Sequence, residues 1–375
     1  MVASEESGAD AETETETDFE NQYPSLFAAF SAKLDFENLP SYNQETQPNY
    51  VDQDNTSGNP IANSAALLGR ILFYDKNLSS NNTTSCSSCH TQAQAFGSLD
   101  TVSAGANGIT ARHSMRLVNA RFGEENNFFW DERVSSLEAQ VTLPIQNHEE
   151  MGFSGANGAP GLDDLILKLS DIEYYGDLFA YAYGSEEVTE DRIQRALAQF
   201  IRSLQSFDSK YDTGRALTGN DNADFPNFSV DENAGKRLFL QTANRGGANC
   251  AVCHRPPEFD IVPNARNNGV IGVFGSSSLT DTTVTRTPTL RDLVGPDGSL
   301  NGPLMHDGSH VSLEAVIEHY DNEIVANANL DNRLQVRGSP QRLGLSVAEK
   351  AQLVLFLKTL SGTDIYTNEK WADPF

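Results

Sequence analysis

Apolar side chains recur at helical spacing along much of the chain and rarely alternate, which predicts a mostly α-helical protein with weak strand signals. Over residues 63–74, Leu67, Leu68, Ile71 and Leu72 share one face. After Thr189, a predicted N-cap, Ile193, Ala196, Leu197, Phe200, Ile201 and Leu204 do the same, with Val188 and Ile193 placed to form a hydrophobic staple. Ser229 and Glu232 spell a capping box for a further helix. Nearer the start, Leu26, Phe27, Phe30 and Leu34 suggest a helical arm over residues 25–34, and the Pro, Asn and Gln that follow suggest an extended connection. The first twenty residues, where Glu12, Glu14 and Glu16 alternate with Thr, read as a disordered acidic tether, with docking expected only after about residue 20.

The helical pattern repeats. Gly69-Arg70-Ile71-Leu72-Phe73 matches Gly235-Lys236-Arg237-Leu238-Phe239, and the closing stretch over residues 197–204 parallels that over 353–360. After each opening helix comes the same pentapeptide pattern, Cys86-Ser87-Ser88-Cys89-His90 and Cys250-Ala251-Val252-Cys253-His254. CxxCH is the attachment pattern of c-type haem, in which two thiols add to the haem vinyl groups and the adjacent histidine ligates the iron. The two copies use all 4 cysteines, so no disulfide framework explains them. A zinc site built from two CxxC knuckles is the competing account, but it has no need of the histidine that follows both times. The pattern predicts two tandem cytochrome c-like domains, each with one covalent c-type haem. An acidic tail and arm would cover residues 1–58, an N-terminal haem domain 59–215 and a C-terminal haem domain 216–375. The boundary is expected in a linker over residues 211–227, which carries Gly, Asn, Asp and Pro.

Charge narrows the partners. A net charge of -26 over 375 residues argues against nucleic acid and anionic membranes. It suits either steering of a basic redox partner or a solvated acidic surface. No apolar run approaches the roughly 20 residues of a membrane span, and there is no signal-peptide core. Because c-type haem is attached outside the bacterial cytoplasm, the protein is expected to be periplasmic or exported. Its signal would have been trimmed, a lipid anchor is compatible with the native form, and Met1 would come from expression.

Several longer motifs carry a resemblance. LGRILFYDKNLS from Leu68, CSSCH, FFWDER from Phe128, PIQNHEEMG from Pro144, the second CxxCH, RTPTLRDL from Arg286 and MHDGS from Met305 occur in an order that resembles the bacterial dihaem cytochrome c peroxidases and the MauG-like enzymes, from about Leu68 to Gly362. The resemblance implies that Glu150 is the distal acid/base at the N-terminal haem, that Gln140 lies beside it and that Trp130 bridges the haems. A carboxylate on a dry face can shuttle the proton that O–O cleavage requires. Each residue also has an ordinary account, as a surface carboxylate, a polar cap and a core aromatic. Arg112 and Arg286 suit haem propionates or a plain surface role. Many such peroxidases carry a capping histidine in the loop after the first haem motif. Residues 103–108 here hold none, so an open distal position is expected.

At the second haem, Tyr320 stands where the ordinary enzymes have a methionine ligand. Leu313, Val316, Ile317 and Tyr320 share a helical face, which turns the ring inward and His319 elsewhere. Met305 is the competing ligand, and a core tyrosine without ligand role is the third account. The family's calcium site would draw on backbone carbonyls of Asn301 and Pro303, with His113 replacing the usual asparagine. His148 and His310 read as solvated loop residues.

The leading expectation is a dihaem peroxidase that reduces hydrogen peroxide at the N-terminal haem. Electrons would arrive through the C-terminal haem and Trp130, from a donor such as a cytochrome c or cupredoxin. Two alternatives stand beside it: a MauG-like enzyme that oxidises residues of a partner protein through high-valent iron, and a non-catalytic dihaem electron carrier. Homodimers are usual among relatives.

Overall fold

The computed structural model describes residues 16–43, 47–123, 127–260 and 264–375. Two short helices, α1 (Glu16–Gln22) and α2 (Pro24–Phe30), form the arm, followed by α3 (Asn63–Tyr74) and α4 (Cys86–Cys89). The middle of the chain holds α5 (Leu137–Val141), α6 (Leu143–Gln146), α7 (Leu162–Ser170), α8 (Glu173–Tyr183) and α9 (Glu190–Ser203). Then come α10 (Lys210–Thr218), α11 (Val230–Leu240), α12 (Leu313–Glu318) and α13 (Val347–Lys358). A two-residue antiparallel pair, Gln335–Val336 with Ser339–Pro340, is the only sheet among the described residues. The mostly helical expectation therefore holds.

Local chemistry accounts for the helix starts. Ser136, Thr189, Ser209, Ser229, Ser312 and Ser346 each accept a hydrogen bond from a first-turn backbone N–H of the helix that follows, satisfying a donor the helix itself leaves orphaned. The predicted boundaries of α3, the cap at Thr189 and the capping box of Ser229 and Glu232 are all present.

The sequence repeat is a repeat of packing. α3 crosses α9 at Gly69, where an added Cβ would lie 2.0 Å from the Ala196 carbonyl oxygen. α11 crosses α13 at Gly235, where the same atom would lie 1.9 Å from the Gln352 carbonyl oxygen. Only a residue without Cβ lets the two backbones approach so closely. A triad of rings sits beside each crossing. Phe73, Phe96 and Phe200 lie 5.2 to 6.4 Å apart between centroids, and Phe239, Phe259 and Phe356 lie 5.1 to 6.0 Å apart. The buried apolar residues fall into corresponding clusters, a larger one from Leu26 to Leu204 and a second from Tyr211 to Leu360. The chain end crosses back, since Ile365, Tyr366 and Trp371 belong to the first cluster and Arg70 Nε donates to the Ala372 carbonyl at 2.7 Å.

Three expectations need correction. Docking of the arm begins before residue 20: α1 starts at Glu16, and Phe19 stacks on Phe36 at 4.6 Å because its ring finds an apolar partner. Residues 1–15 of the expected tether lie outside the described residues. The expected linker over 211–227 is in part helical. Ser209 and Asp212 cap α10, Tyr211 is buried in the second cluster, and Asp212 forms a buried two-bond ion pair with Arg291, both bonds 2.9 Å. Finally, the helical face expected to run from Leu313 to Tyr320 is not α-helical throughout: α12 stops at Glu318 and Tyr320 lies in a wider π-helical turn over His319–Glu323.

Candidate active site

Both CxxCH motifs are held in one way. His90 Nδ1 lies 3.1 Å from the Phe96 carbonyl and His254 Nδ1 lies 3.3 Å from that of Phe259. Both phenylalanines adopt left-handed backbone, φ 58° and 54°, which costs energy and turns the carbonyl toward the ring. Burial pushes each imidazole down to about 4, so both rings are neutral at pH 7. With Nδ1–H committed to a carbonyl, the Nε2 lone pair is left for a metal. All four cysteines are free thiols.

The first motif lines a cavity of about 930 Å³, and the same cavity is lined by Gln140, Glu149, Glu150 and Trp130. Gln140 lies near the end of α5. Glu150 sits in a turn where Asn147 Oδ1 accepts from the N–H groups of Glu149 and Glu150 at 2.9 and 3.1 Å. A small hairpin over residues 103–110 clamps that turn from outside. The Ala106 N–H donates to the Glu150 carbonyl at 2.7 Å and the Asn107 N–H to that of Glu149 at 3.1 Å. Gly105 permits the approach, because a Cβ there would meet the Glu149 oxygen at 2.1 Å. Burial holds the Glu150 carboxyl above its ordinary range, Glu149 adding to the shift and Arg133 opposing it.

The second motif lines a tighter cavity of about 170 Å³, walled by Leu313, Val316, Ile317, Leu353 and Leu357. Tyr320 and Met305 both line it. Burial pushes the Tyr320 phenol well above its usual value, with an Asn268 hydrogen bond opposing. Asn268 Nδ2 lies 3.6 Å from Met305 Sδ, and Met305 has left-handed backbone, φ 70°. His319 turns elsewhere, its Nε2 being 3.0 Å from the Asn268 carbonyl. Pro303 lines this cavity, while the Asn301 amide is used inside the chain, donating to the Asp292 carbonyl at 2.8 Å.

Trp130, His113, Arg116 and Arg286 line both cavities. Trp130 Nε1 donates to the His113 carbonyl at 2.7 Å, and the Trp130 carbonyl accepts from the Arg286 N–H at 2.7 Å. His113 Nδ1 is 2.9 Å from the Asp100 carbonyl. Sequence reasoning passed over Arg116 and His306. The ring of His306 stands edge-on to Trp130 at 6.4 Å and neither of its nitrogens has a hydrogen-bond partner. The signal for His306 was its place in the MHDGS motif, whereas nothing local marked Arg116. Arg112 lines the N-terminal cavity, and its half-buried guanidinium bridges Asp131 at 3.1 Å and Asp281 at 2.6 Å. His148 is exposed, but His310 is half-buried, its ring 5.4 Å from that of His319.

The family model described as di-haem cytochrome c peroxidase matches residues 63–222. The chain is 31% identical over 332 residues to the methylamine utilization protein MauG of Methylophilus methylotrophus, covering 87% of this chain and 90% of that protein. It is 29% identical over 314 residues to cytochrome c551 peroxidase of Nitrosomonas europaea, covering 79% and 80%. A crystal structure of a MauG-like protein associated with microbial copper homeostasis superposes with a TM-score of 0.69 at 29% identity, covering 89% of this chain and 99% of that one. Such likeness implies two haems, and the residues present fit them. Each cavity offers a free thiol pair and a neutral imidazole, and Arg116 Nε and Arg286 Nη1 are buried donors with no partner in the chain, as carboxylate-bearing groups require. The chain belongs to the family of di-haem cytochrome c peroxidases and MauG proteins.

Proposed function

We propose that this protein reduces hydrogen peroxide in the larger, N-terminal cavity and draws the electrons through the C-terminal site past Trp130. Cys86, Cys89 and His90 would hold one c-type haem and Cys250, Cys253 and His254 the other. When bound, the haems supply the redox chemistry and the coordination of peroxide. The observation that carries the reading is the convergence of Glu150, Gln140 and His90 on one cavity, with the Glu150 backbone locked by the 103–110 hairpin. Glu150, partly desolvated, takes the proton from one peroxide oxygen and returns it to the other. Gln140 offers an amide hydrogen bond without adding charge. Trp130 separates the cavities and gives electrons a short aromatic route. Arg286 and Arg116, each with a buried nitrogen lacking a partner, would hold the haem propionates.

A second reading, MauG-like oxidation of a partner protein, is favoured by two observations. The hairpin over 103–108 contains no histidine to cap the N-terminal site, and Tyr320 rather than an aligned methionine faces the C-terminal cavity. A tyrosine ligand lowers the potential at which that site gives up an electron, where a thioether raises it. Both readings place the protein in an oxidising compartment outside the cytoplasm, and among the described residues no helix is long and apolar enough to cross a membrane. Stopped-flow mixing of the fully oxidised protein with peroxide tests them together. A prompt spectral change, lost in Glu150→Gln, supports peroxide chemistry at the N-terminal site. Reaction only after one-electron reduction removes the MauG-like reading, and no reaction in either state leaves an electron carrier.

A further inference from the structure

In the N-terminal core, the two tyrosines that open α8 share one buried acid. Asp75 ends α3 and is 4% exposed. Its Oδ1 accepts from the Asn77 N–H at 2.7 Å, while its Oδ2 accepts from the Tyr175 hydroxyl at 2.7 Å and the Tyr174 hydroxyl at 2.9 Å. The two rings lie 4.8 Å apart between centroids. Tyr175 is fully buried in the core cluster that also holds Phe73 and against which Cys86 packs; Phe73 and Cys86 both line the N-terminal cavity. Tyr174 is only half-buried. Lys168, the cation on the neighbouring helix α7, turns its ammonium to the Asn77 and Ser79 carbonyls at 2.7 and 3.1 Å. A helix tie would need one phenol; two phenols in ring contact, one inside and one half-buried, on a single proton acceptor make a path.

We propose that Tyr175 and Tyr174, sharing Asp75, form a one-electron relay between the protein surface and the N-terminal cavity. The inference rests on the peroxide reading above, with hydrogen peroxide as oxidant and a one-electron organic reductant such as a phenol as the source of electrons. Tyr175 gives an electron toward the cavity, and its hydroxyl proton passes along the hydrogen bond, breaking the phenolic O–H and forming a carboxylic O–H on Asp75. Tyr174 then gives an electron to Tyr175. Asp75 returns its proton to the Tyr175 oxygen as the Tyr174 proton takes the vacated place. The outside reductant restores the electron at Tyr174, which recovers its proton from Asp75. Two such passages, with two protons from solvent, convert one hydrogen peroxide to two waters. The proton moves between groups already in contact, so no buried phenolate forms, which burial makes unfavourable here.

The haem-loaded protein is pulsed with stoichiometric peroxide without reductant, frozen within milliseconds for electron paramagnetic resonance, and mapped by mass spectrometry for dityrosine. Peroxide loss is followed in the same samples. The expected result is a tyrosyl signal, assigned by ring-deuterated tyrosine, that disappears in Tyr175→Phe. In Tyr174→Phe the signal persists while dityrosine at the surface is lost, and in Asp75→Asn its yield falls severalfold. Melting temperatures of the same variants report the helix tie separately. Peroxide consumed with no tyrosyl signal, or with equal signals in all variants, overturns the relay and leaves the peroxide reading standing. Peroxide left unconsumed by the wild type overturns both.

Discussion

The N-terminal and C-terminal halves of this protein share a scaffold and differ in what faces the cavity. Each has a glycine-mediated helix crossing, a triad of phenylalanines and a histidine whose Nδ1 is tied to a phenylalanine carbonyl. The first cavity measures about 930 Å³ and holds Gln140 and Glu150, whereas the second measures about 170 Å³ and is walled by leucines, Val316 and Ile317 around Tyr320 and Met305. The polar groups of the first cavity come from the stretch between Phe96 and α7, residues 97–161, which carries α5 and α6. The repeated scaffold supplies the buried histidine of each site; the stretch after Phe96 supplies the polar groups of the first. Trp130 belongs to that same stretch, so the segment that makes the first site different also lines both cavities.

Breaking the difference should have the largest effect. Glu150→Gln is expected to slow the peroxide reaction by about a hundred- to ten-thousandfold, read by stopped-flow absorbance, with both haem spectra in the resting protein unaltered. Next come the crossings the halves share. Gly69→Ala and Gly235→Ala each drive a Cβ into a carbonyl oxygen, and overpacking of that kind costs about 1–3 kcal/mol. Thermal unfolding should show comparable losses, and haem spectra should show each perturbation confined to its own half. Equal disturbance of both haems by either variant would mean that the halves are one cooperative site.

A smaller effect is expected from Gly105→Ala, which pushes on the Glu149 and Glu150 backbone without touching the carboxyl. Displacement of the acid by a fraction of an ångström should lower the peroxide rate about tenfold while the C-terminal spectrum stays constant. The mildest is a displacement on the pH axis. Burial raises the Glu150 carboxyl above its ordinary range, so the proton-accepting carboxylate is present at pH above that raised value and is lost below it. The rate should therefore fall on acidification at a pH higher than an exposed glutamate would give, and Glu150→Gln should flatten that limb. A limb at the ordinary carboxylate value would mean the side chain is solvated.

Much of this was legible in the chain. The CxxCH pairs, the boundaries of α3, the caps at Thr189 and Ser229, and the equivalence of residues 69–73 with 235–239 are local patterns, set by spacing and by hydroxyls within three residues of the N–H they satisfy. Motif order also pointed to Glu150, Gln140 and Trp130, which line a single cavity. Other features carried no local mark. Phe96 and Phe259 lie six and five residues past their histidines, so a strict alignment hides their equivalence, which appears only when both carbonyls meet imidazoles. The pairing of Arg112 with Asp281, 169 residues away, is equally unmarked in the local sequence.

By itself the sequence determined the helices, the repeat and the residues able to attach two haems, since each depends on groups that are neighbours along the chain. Tertiary structure alone decided which buried guanidinium nitrogens lack a partner, how the 103–110 hairpin grips Glu150, and that the carboxylate ending α3 serves two phenols of α8. Those depend on desolvation and on contacts between segments about forty to a hundred residues or more apart. No periodicity encodes them, because the free energy of a buried charge or a shared proton is set by everything packed around it.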